Sequence, residues 1–152
     1  MTKLERAIEI DAPRERVYEV LTDPRCLGEW VTIQEELEEA PEGDLVEGDT
    51  LRQRMKVAGQ RFKLAWTVVE VDPPTRIVWE GCGPVGSKAR AVYELEESAR
   101  GGTRFSYLNE YAMPGGPLGR LAGRAVTKAS GGEADRSLER LKALVERRVA
   151  AG

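Results

Sequence analysis

Hydrophobic positions along the chain switch between two periods. Residues 4–10 alternate: Leu4, Ile8 and Ile10 share one face with Arg6, and Glu5, Ala7 and Glu9 take the other. A period of two with one apolar face predicts a strand with one wet side. Asp11-Ala12-Pro13 ends it and starts a helix, Pro13 suiting a first turn. Val17, Val20 and Leu21 give this short helix its buried stripe, Thr22-Asp23-Pro24 stops it, and 25–30 predicts a second short helix or turn. Alternation then returns. Residues 31–39 predict a strand with Val31, Ile33 and Leu37 inward and Glu35 on the same parity. An acidic, glycine-bearing turn over 41–49 leads to a strand over 50–57, with Leu51, Gln53, Met55 and Val57 inward. On the outer side Glu36 and Glu38 are set to oppose Arg52, Arg54 and Lys56. Cross-strand pairs of opposite charge contribute roughly 0.2–1 kcal/mol each and help fix register.

Ala58-Gly59 turns the chain into a strand over 60–71. Phe62, Leu64 and Trp66 share one parity and Val69 and Val71 the other, which predicts a bulge or strong bend near Thr67-Val68. Asp72-Pro73-Pro74 is a turn, and 76–80 a strand with Ile77 and Trp79 inward. Gly81-Cys82-Gly83-Pro84 and Gly86 predict a mobile loop. Residues 87–96 alternate again, with Ala89, Ala91, Tyr93 and Leu95 opposite Lys88, Arg90 and Glu94. After a hairpin loop at 99–102, the strand 103–111 carries Phe105, Tyr107, Asn109 and Tyr111 on one face. Met113–Pro117 leads into a helix.

There the period becomes helical. Leu118, Leu121, Ala122, Ala125 and Val126, then Leu138, Leu141, Leu144, Val145 and Val149, make 117–149 one long amphipathic helix. Ser130-Gly131-Gly132 interrupts it. Glycine costs about 1 kcal/mol against alanine in a helix interior. Either the helix breaks there, or something approaches its backbone closely. Strands with one apolar face need a partner such as this helix. Short connections make the six later strands an antiparallel meander that curls around it, leaving a cavity between.

Four stretches carry a family resemblance: IEIDAPRERVYEVLTDPRCLGEW at 8–30, VVEVDPPTRIVWEG at 68–81, GGTRFSYLNEY at 101–111 and PGGPLGRLAG at 114–123. With the order of elements, they resemble the START-like, or Bet v 1-like (SRPBCC), superfamily, and within it the bacterial polyketide cyclase/dehydrase-type proteins. The resemblance implies an α+β helix-grip fold. A seven-stranded antiparallel sheet wraps around a long C-terminal helix, two short helices lie between strands 1 and 2, and the first strand sits beside the last. It also implies a deep apolar cavity for lipids, sterols, polyketides, plant hormones or quinones. Some members are cyclases or aromatases, many only bind or carry, and some are accessory proteins. The quoted motifs build the fold, and none is catalytic.

Composition narrows the classes. The 152 residues suit one domain over 1–152 with room for a core and a pocket. A net charge of −3 without an isolated basic cluster argues against nucleic acid as a partner. No apolar run reaches the roughly 20 residues of a membrane span. The opening MTKLERAIEI is charged almost at once and lacks a signal-peptide core. Cys26 and Cys82 match no metal or redox spacing. Together these point to the cytoplasm. The chain has no histidine, the commonest general base at neutral pH and the commonest metal ligand. No cofactor or metal is expected. The expected partner is a small hydrophobic molecule, and a homodimer is left open.

Candidate site residues are those on inward parity that do more than fill a core. Ala89 and Ala91, with Gly81, Gly83, Gly86, Gly123, Gly131 and Gly132 on neighbouring elements, leave space for a ligand, or else let Trp66 and Trp79 pack. Met55 joins that apolar wall, and Trp30 roofs it. The short helices and the 81–87 loop form a natural gate. The polar inward set is Glu35, Gln53, Tyr93, Tyr107, Asn109 and Tyr111. Tyr107, Asn109 and Tyr111 present a row of hydrogen-bonding groups, unless the tyrosines reach the rim with the hydroxyl in water. An unpaired buried amide costs roughly 1–3 kcal/mol, so Asn109 has protein partners or faces a wet or liganded cavity. Glu35 is the only carboxylate on inward parity. Burial would raise its pKa and suit it to acid–base work, unless a bulge turns it to solvent or Arg6 or Arg14 pairs with it. Cys82 has no evident cation beside it and reads as structural, and Cys26 as a buried filler.

Three functions fit. A binding or carrier protein needs only the cavity. A cyclase or dehydratase would hold a reactive chain in a productive fold, with Tyr107, Tyr111 or Glu35 moving protons. Against it, tyrosine's pKa near 10 makes a slow neutral-pH base. An interaction module would use the charged hairpin at 35–56, although charged hairpins are usually solvated edges. Binding ranks first.

Overall fold

The pairing of the first strand decides the architecture. β1 (Thr2–Ile10) runs antiparallel to the last strand, β7 (Thr103–Ala112), with Leu4 opposite Asn109 and Ile8 opposite Phe105. The structure is a computed structural model. It describes residues 2–57, 59–112 and 115–152, apart from the side chains of residues 2, 116–127 and 129. After β1 come α1 (Arg14–Leu21), a tight turn at Pro24–Cys26 and α2 (Leu27–Trp30). Then follow β2 (Gln34–Glu39), β3 (Thr50–Val57), β4 (Gln60–Asp72), β5 (Arg76–Cys82) and β6 (Lys88–Glu97), ahead of β7 and α3 (Gly116–Ala151). The sheet order is β1-β7-β6-β5-β4-β3-β2, and every neighbouring pair is antiparallel. This is the helix-grip arrangement.

Helix α3 runs unbroken through Ser130-Gly131-Gly132. Close approach is the reason for the first glycine. A Cβ on Gly131 would lie 3.0 Å from Arg6 Nη2. Arg6 rises from the inner face of β1, donates to Asp135 Oδ1 at 2.7 Å and reaches the Glu5 carbonyl at 2.8 Å. An arginine on an apolar face and a glycine in a helix explain each other. The expected stripe at Leu118, Leu121, Ala122, Ala125 and Val126 lies outside the described residues. So do the surroundings of Gly123, Ala58 of the first hairpin turn, and Met113 and Pro114 ahead of α3.

Three expectations shift. β2 starts at Gln34 rather than Val31, and it is bulged twice. Gln34 faces Met55 but Glu36 already faces Arg54, so Glu35 is an extra residue that breaks the alternation. Its carboxylate turns outward to Arg61 at 3.0 Å and Arg54 at 3.3 Å. Glu36 meets Arg54 as the charge pattern requires, whereas Glu38 meets Lys63 and Arg52 meets Glu39. In β4 the register shift falls between Val68 and Glu70, one residue later than the parity break suggests. Val68 is therefore buried and Val69 exposed. Finally, β5 continues through Gly81 and Cys82 rather than ending at Glu80. Gly81 is required there because Trp66 lies over it: a Cβ would sit 2.7 Å from Trp66 Cε3.

Inward residues stack in rows across β5, β6, β7 and β1. Leu95, Phe105 and Ile8 form a first row, in which Leu95 and Phe105 are fully buried. Against it pack Ile10, Val17, Leu21, Leu141 and Val145 from β1, α1 and the C-terminal half of α3. The solid core therefore occupies one end of the molecule. Burial of a Leu, Ile, Val or Phe side chain contributes roughly 1.5–3 kcal/mol each, so this end anchors the fold.

Candidate functional site

Beyond the solid core the next rows open. Ile77, Tyr93, Tyr107 and Arg6 form the second row, Trp79, Ala91, Asn109 and Leu4 the third, and Gly81, Ala89 and Tyr111 the fourth. Large side chains give way to alanine and glycine in the middle of the sheet. The result is a cavity of about 550 Å³ between the sheet, the 31–33 linker and α3. Each row advances about 6.8 Å along the strands, so Tyr107 to Tyr111 spans roughly 13 Å of depth. The tyrosines of the second row are the floor. The mouth lies towards Val57, Gln60 and Arg61 on one side and Gly83–Lys88 on the other.

Eleven of the twelve residues singled out from the sequence line this cavity. Trp30 closes it at the end of α2, and Trp66, Trp79 and Met55 make its apolar wall. Ala89 and Ala91 face it from β6 beside Tyr93, and Tyr107, Asn109 and Tyr111 from β7. Gln53 lies in the wall but is spent on structure. Its Oε1 accepts from Trp66 Nε1 at 2.8 Å, and its Nε2 donates to Gln34 Oε1. Glu35 is the exception. The bulge puts it on the outer side, where the guanidinium of Arg61 first, then Arg54, holds its carboxyl below the usual carboxylate range against a smaller opposing effect of desolvation. It has no part in acid–base work inside.

The floor is aromatic and polar together. The rings of Tyr93 and Tyr107, directly opposed in register, have centroids 5.8 Å apart. Tyr93 also meets Trp30 and Phe105 edge-on, at 6.5 and 5.5 Å. Asn109 Nδ2 donates to the Tyr107 hydroxyl oxygen at 2.8 Å. Burial pushes the phenols of Tyr93 and Tyr107 far above their ordinary value, and the Asn109 hydrogen bond offsets this only slightly for Tyr107. Both remain protonated donors and are useless as bases. Burial also raises the Tyr111 phenol, against a hydrogen bond with Ser130. Three buried polar atoms of the wall have no partner among the described residues: Trp30 Nε1, Trp79 Nε1 and Asn109 Oδ1.

The sequence points to Gly131 and Gly132 for the space beside α3, but neither lines the cavity; other residues of that helix do. Ser130, Glu133, Ala134, Ser137 and Leu138 all line the cavity. Thr32 ties the linker after α2 to this helix: its hydroxyl donates to Glu133 Oε2 at 2.6 Å, and its amide donates to Ser137 Oγ at 3.0 Å. Thr32 first, then Arg136, holds the Glu133 carboxyl below its ordinary value. A signal existed. Ser130 and Ser137 continue the buried Leu141 and Leu144 stripe backwards at helical spacing, so polar groups on that stripe face the cavity. Cys82 is exposed on the outer side of the sheet. Cys26 is buried, its thiol pushed up by burial and its Sγ accepting from Arg148 Nη1 at 3.3 Å. Among the described residues no group of acidic, cysteine or histidine side chains could hold a metal, and no helix is long and apolar enough to cross a membrane.

Known proteins share both sequence and shape with this chain. The family described as "Polyketide cyclase / dehydrase and lipid transport" matches residues 1–146. The uncharacterized protein Rv1546 of Mycobacterium tuberculosis is 25% identical over 146 residues, covering 95% of this chain and 99% of its own. The Toxin Rv0910 of the same organism is 24% identical over 128 residues, covering 83% and 88%. Among solved structures, the Zhui aromatase/cyclase from Streptomyces sp. R1128 superposes with a TM-score of 0.82 at 20% identity, over 99% of this chain and 98% of its own. The protein TTHA0849 from Thermus thermophilus gives 0.78 at 22% identity, over 97% and 99%.

Proposed function

As the chain belongs to the polyketide cyclase/dehydrase and lipid-transport family, we propose that it binds or carries one small hydrophobic molecule, lipid, polyketide or quinone-like, in the cavity between sheet and α3. The observation that carries this reading is the cavity itself. Its volume of about 550 Å³ falls within the roughly 300–1,000 Å³ of ligand pockets, and its wall is apolar with a few placed polar groups. The candidate contacts are Trp30, Met55, Trp66, Trp79, Ala89, Ala91, Tyr93, Tyr107, Asn109 and Tyr111, with Gln53 bracing Trp66. Glu133, Ser130 and Ser137 join them from α3.

The experiment is native mass spectrometry of the purified protein before and after denaturing extraction, followed by a thermal-shift screen of apolar compounds on the emptied protein. A released small molecule, or a raised Tm that an Ala89→Phe variant abolishes, supports the reading. Ala89 is partly accessible on the open fourth row, so the larger ring fills the space. An emptied protein that no apolar compound stabilises counts against it.

Cyclisation in the same cavity is the second reading, favoured by the Asn109–Tyr107 pair. Tyr107 would donate a hydrogen bond to a substrate carbonyl oxygen and stabilise the charge that develops there, while Asn109 holds the phenol in place. A Tyr107→Phe variant that binds substrate as tightly as the parent but turns it over at least 100-fold more slowly supports the enzyme. A cavity that releases its ligand unchanged supports the carrier.

A further inference from the structure

The polar groups of the cavity are unequally matched, and the mismatch selects a ligand. Resting on the binding role proposed above, we infer that the floor of the cavity recognises a neutral molecule through a carbonyl-type oxygen, held by the Tyr107 and Tyr93 hydroxyls, in preference to a hydrocarbon or a carboxylate.

The Tyr107 oxygen already accepts from Asn109 Nδ2 at 2.8 Å, so its own O–H has to be given elsewhere. Tyr93 lies opposite it in register, with nothing donating to its oxygen among the described residues. Among the described residues neither hydroxyl finds an acceptor. Burial keeps both protonated. Trp30 Nε1 and Trp79 Nε1 are also without acceptors among the described residues, but, like Asn109 Oδ1, they have no accessible surface and are closed off from the cavity. A phenol that has accepted one bond next offers its proton. The two hydroxyls at the floor are therefore completed by a ligand that brings an acceptor.

Charge sets the second condition. The ionised groups of the wall, Arg61, Lys88 and Glu133, lie at the mouth or on the α3 side. Arg6 shares a row with Tyr107 but turns to Asp135 and is no part of the wall. An anion on the floor would be desolvated with no cation to meet it, a cost of several kcal/mol that hydrogen bonds alone do not return. A carbonyl oxygen meets the same donors at no such cost. The ligand therefore enters oxygen first, and its remaining apolar surface lies along Ala91, Trp79 and Trp66.

Calorimetry with three probes of matched shape tests this: 1-acetonaphthone, 1-ethylnaphthalene and 1-naphthoate. The ketone should bind about fivefold tighter than the hydrocarbon, the worth of one ordinary hydrogen bond, and the carboxylate should be weakest. The infrared C=O stretch of bound 1-acetonaphthone should fall below its value in hexane. Tyr107→Phe should remove most of that shift and the preference, while 1-ethylnaphthalene affinity stays within twofold and so reports an intact cavity. Tyr93→Phe serves the same comparison if Tyr107→Phe does not fold. If all three bind and the hydrocarbon or the carboxylate binds as tightly as the ketone, this inference fails and the binding role stands. If none binds, both fail.

Discussion

Replacing Gly132 with alanine should stabilise the protein, whereas replacing Gly131 should leave it nearly unchanged. Both lie inside α3, where glycine costs about 0.8–1.0 kcal/mol against alanine. At Gly132 the new methyl meets only the Arg136 guanidinium, 3.6 Å away, an ordinary contact. The expected gain is the full amount of about 1 kcal/mol, roughly 2–4 °C in Tm for a chain of this size. At Gly131 the methyl arrives 3.0 Å from Arg6 Nη2, so the guanidinium must retreat and its pairing with Asp135 loosens. Those side chains are 35% and 59% exposed, so screening limits the pair to about 0–1 kcal/mol. Gain and loss nearly cancel, and the two alanine variants should differ by about 0.5–1 kcal/mol. Urea unfolding followed by tryptophan fluorescence reads the difference, because Trp30, Trp66 and Trp79 are all buried. The cause is tested by adding Arg6→Ala. In that background Gly131→Ala should gain as much as Gly132→Ala, the coupling expected of residues in contact. A Gly132→Ala variant less stable than the parent, or a Gly131→Ala effect indifferent to Arg6, would refute the reasoning.

Three further outcomes are expected. Gly81→Ala drives a methyl to 2.7 Å from Trp66 Cε3 and should cost about 1–3 kcal/mol of unfolding free energy; an unchanged urea midpoint would mean that Trp66 does not cover that strand. Gln53→Leu leaves the buried Trp66 Nε1 without an acceptor and should cost about 1–3 kcal/mol, part of which Trp66→Phe in the same chain should restore. The Glu133 carboxyl is held low in the folded protein, so its contribution is present above the ordinary carboxyl pKa of about 4.3 and is lost as pH falls through the folded value. Thr32→Val should therefore flatten the acid side of the Tm–pH curve, and parallel curves for the two proteins would show that the Thr32 bond carries none of the effect.

The order of strands and helices was legible because most elements keep a single period from end to end. β3 and β7 alternate without interruption, and Gln53, Met55, Tyr107, Asn109 and Tyr111 fall where parity puts them. Parity fails at a bulge, which leaves no mark on composition. Glu35 is preceded by glutamine and followed by Glu36, and nothing in that run tells which residue is the extra one. Gly81 misleads in the opposite way. Glycine ordinarily punctuates a strand, but here it makes room for a tryptophan from the next strand, a long-range fact. Glu133 was hidden for a third reason. Whether a residue at the flank of an amphipathic helix faces water or a hollow depends on the helix's rotation against the sheet, and that rotation is fixed by Arg6 and Thr32 from elements more than 100 positions away.

The β1–β7 pairing governs how the chain can be made. β1 leaves the ribosome well ahead of β7, its strand partner among the described residues, which begins at Thr103. The free edge of β1 is then met by α3, where Lys142 Nζ donates to the Glu9 carbonyl at 3.1 Å and the Asp11 amide donates to Glu146 at 2.8 Å. For most of synthesis β1 is thus an unpaired strand attached to a half-built meander. Such edges invite pairing with other chains. Its own outward residues, Lys3, Glu5 and Glu9, are charged, which keeps the waiting strand from joining a neighbour before its proper partner exists. The nascent strand remains vulnerable until β7 and α3 have emerged.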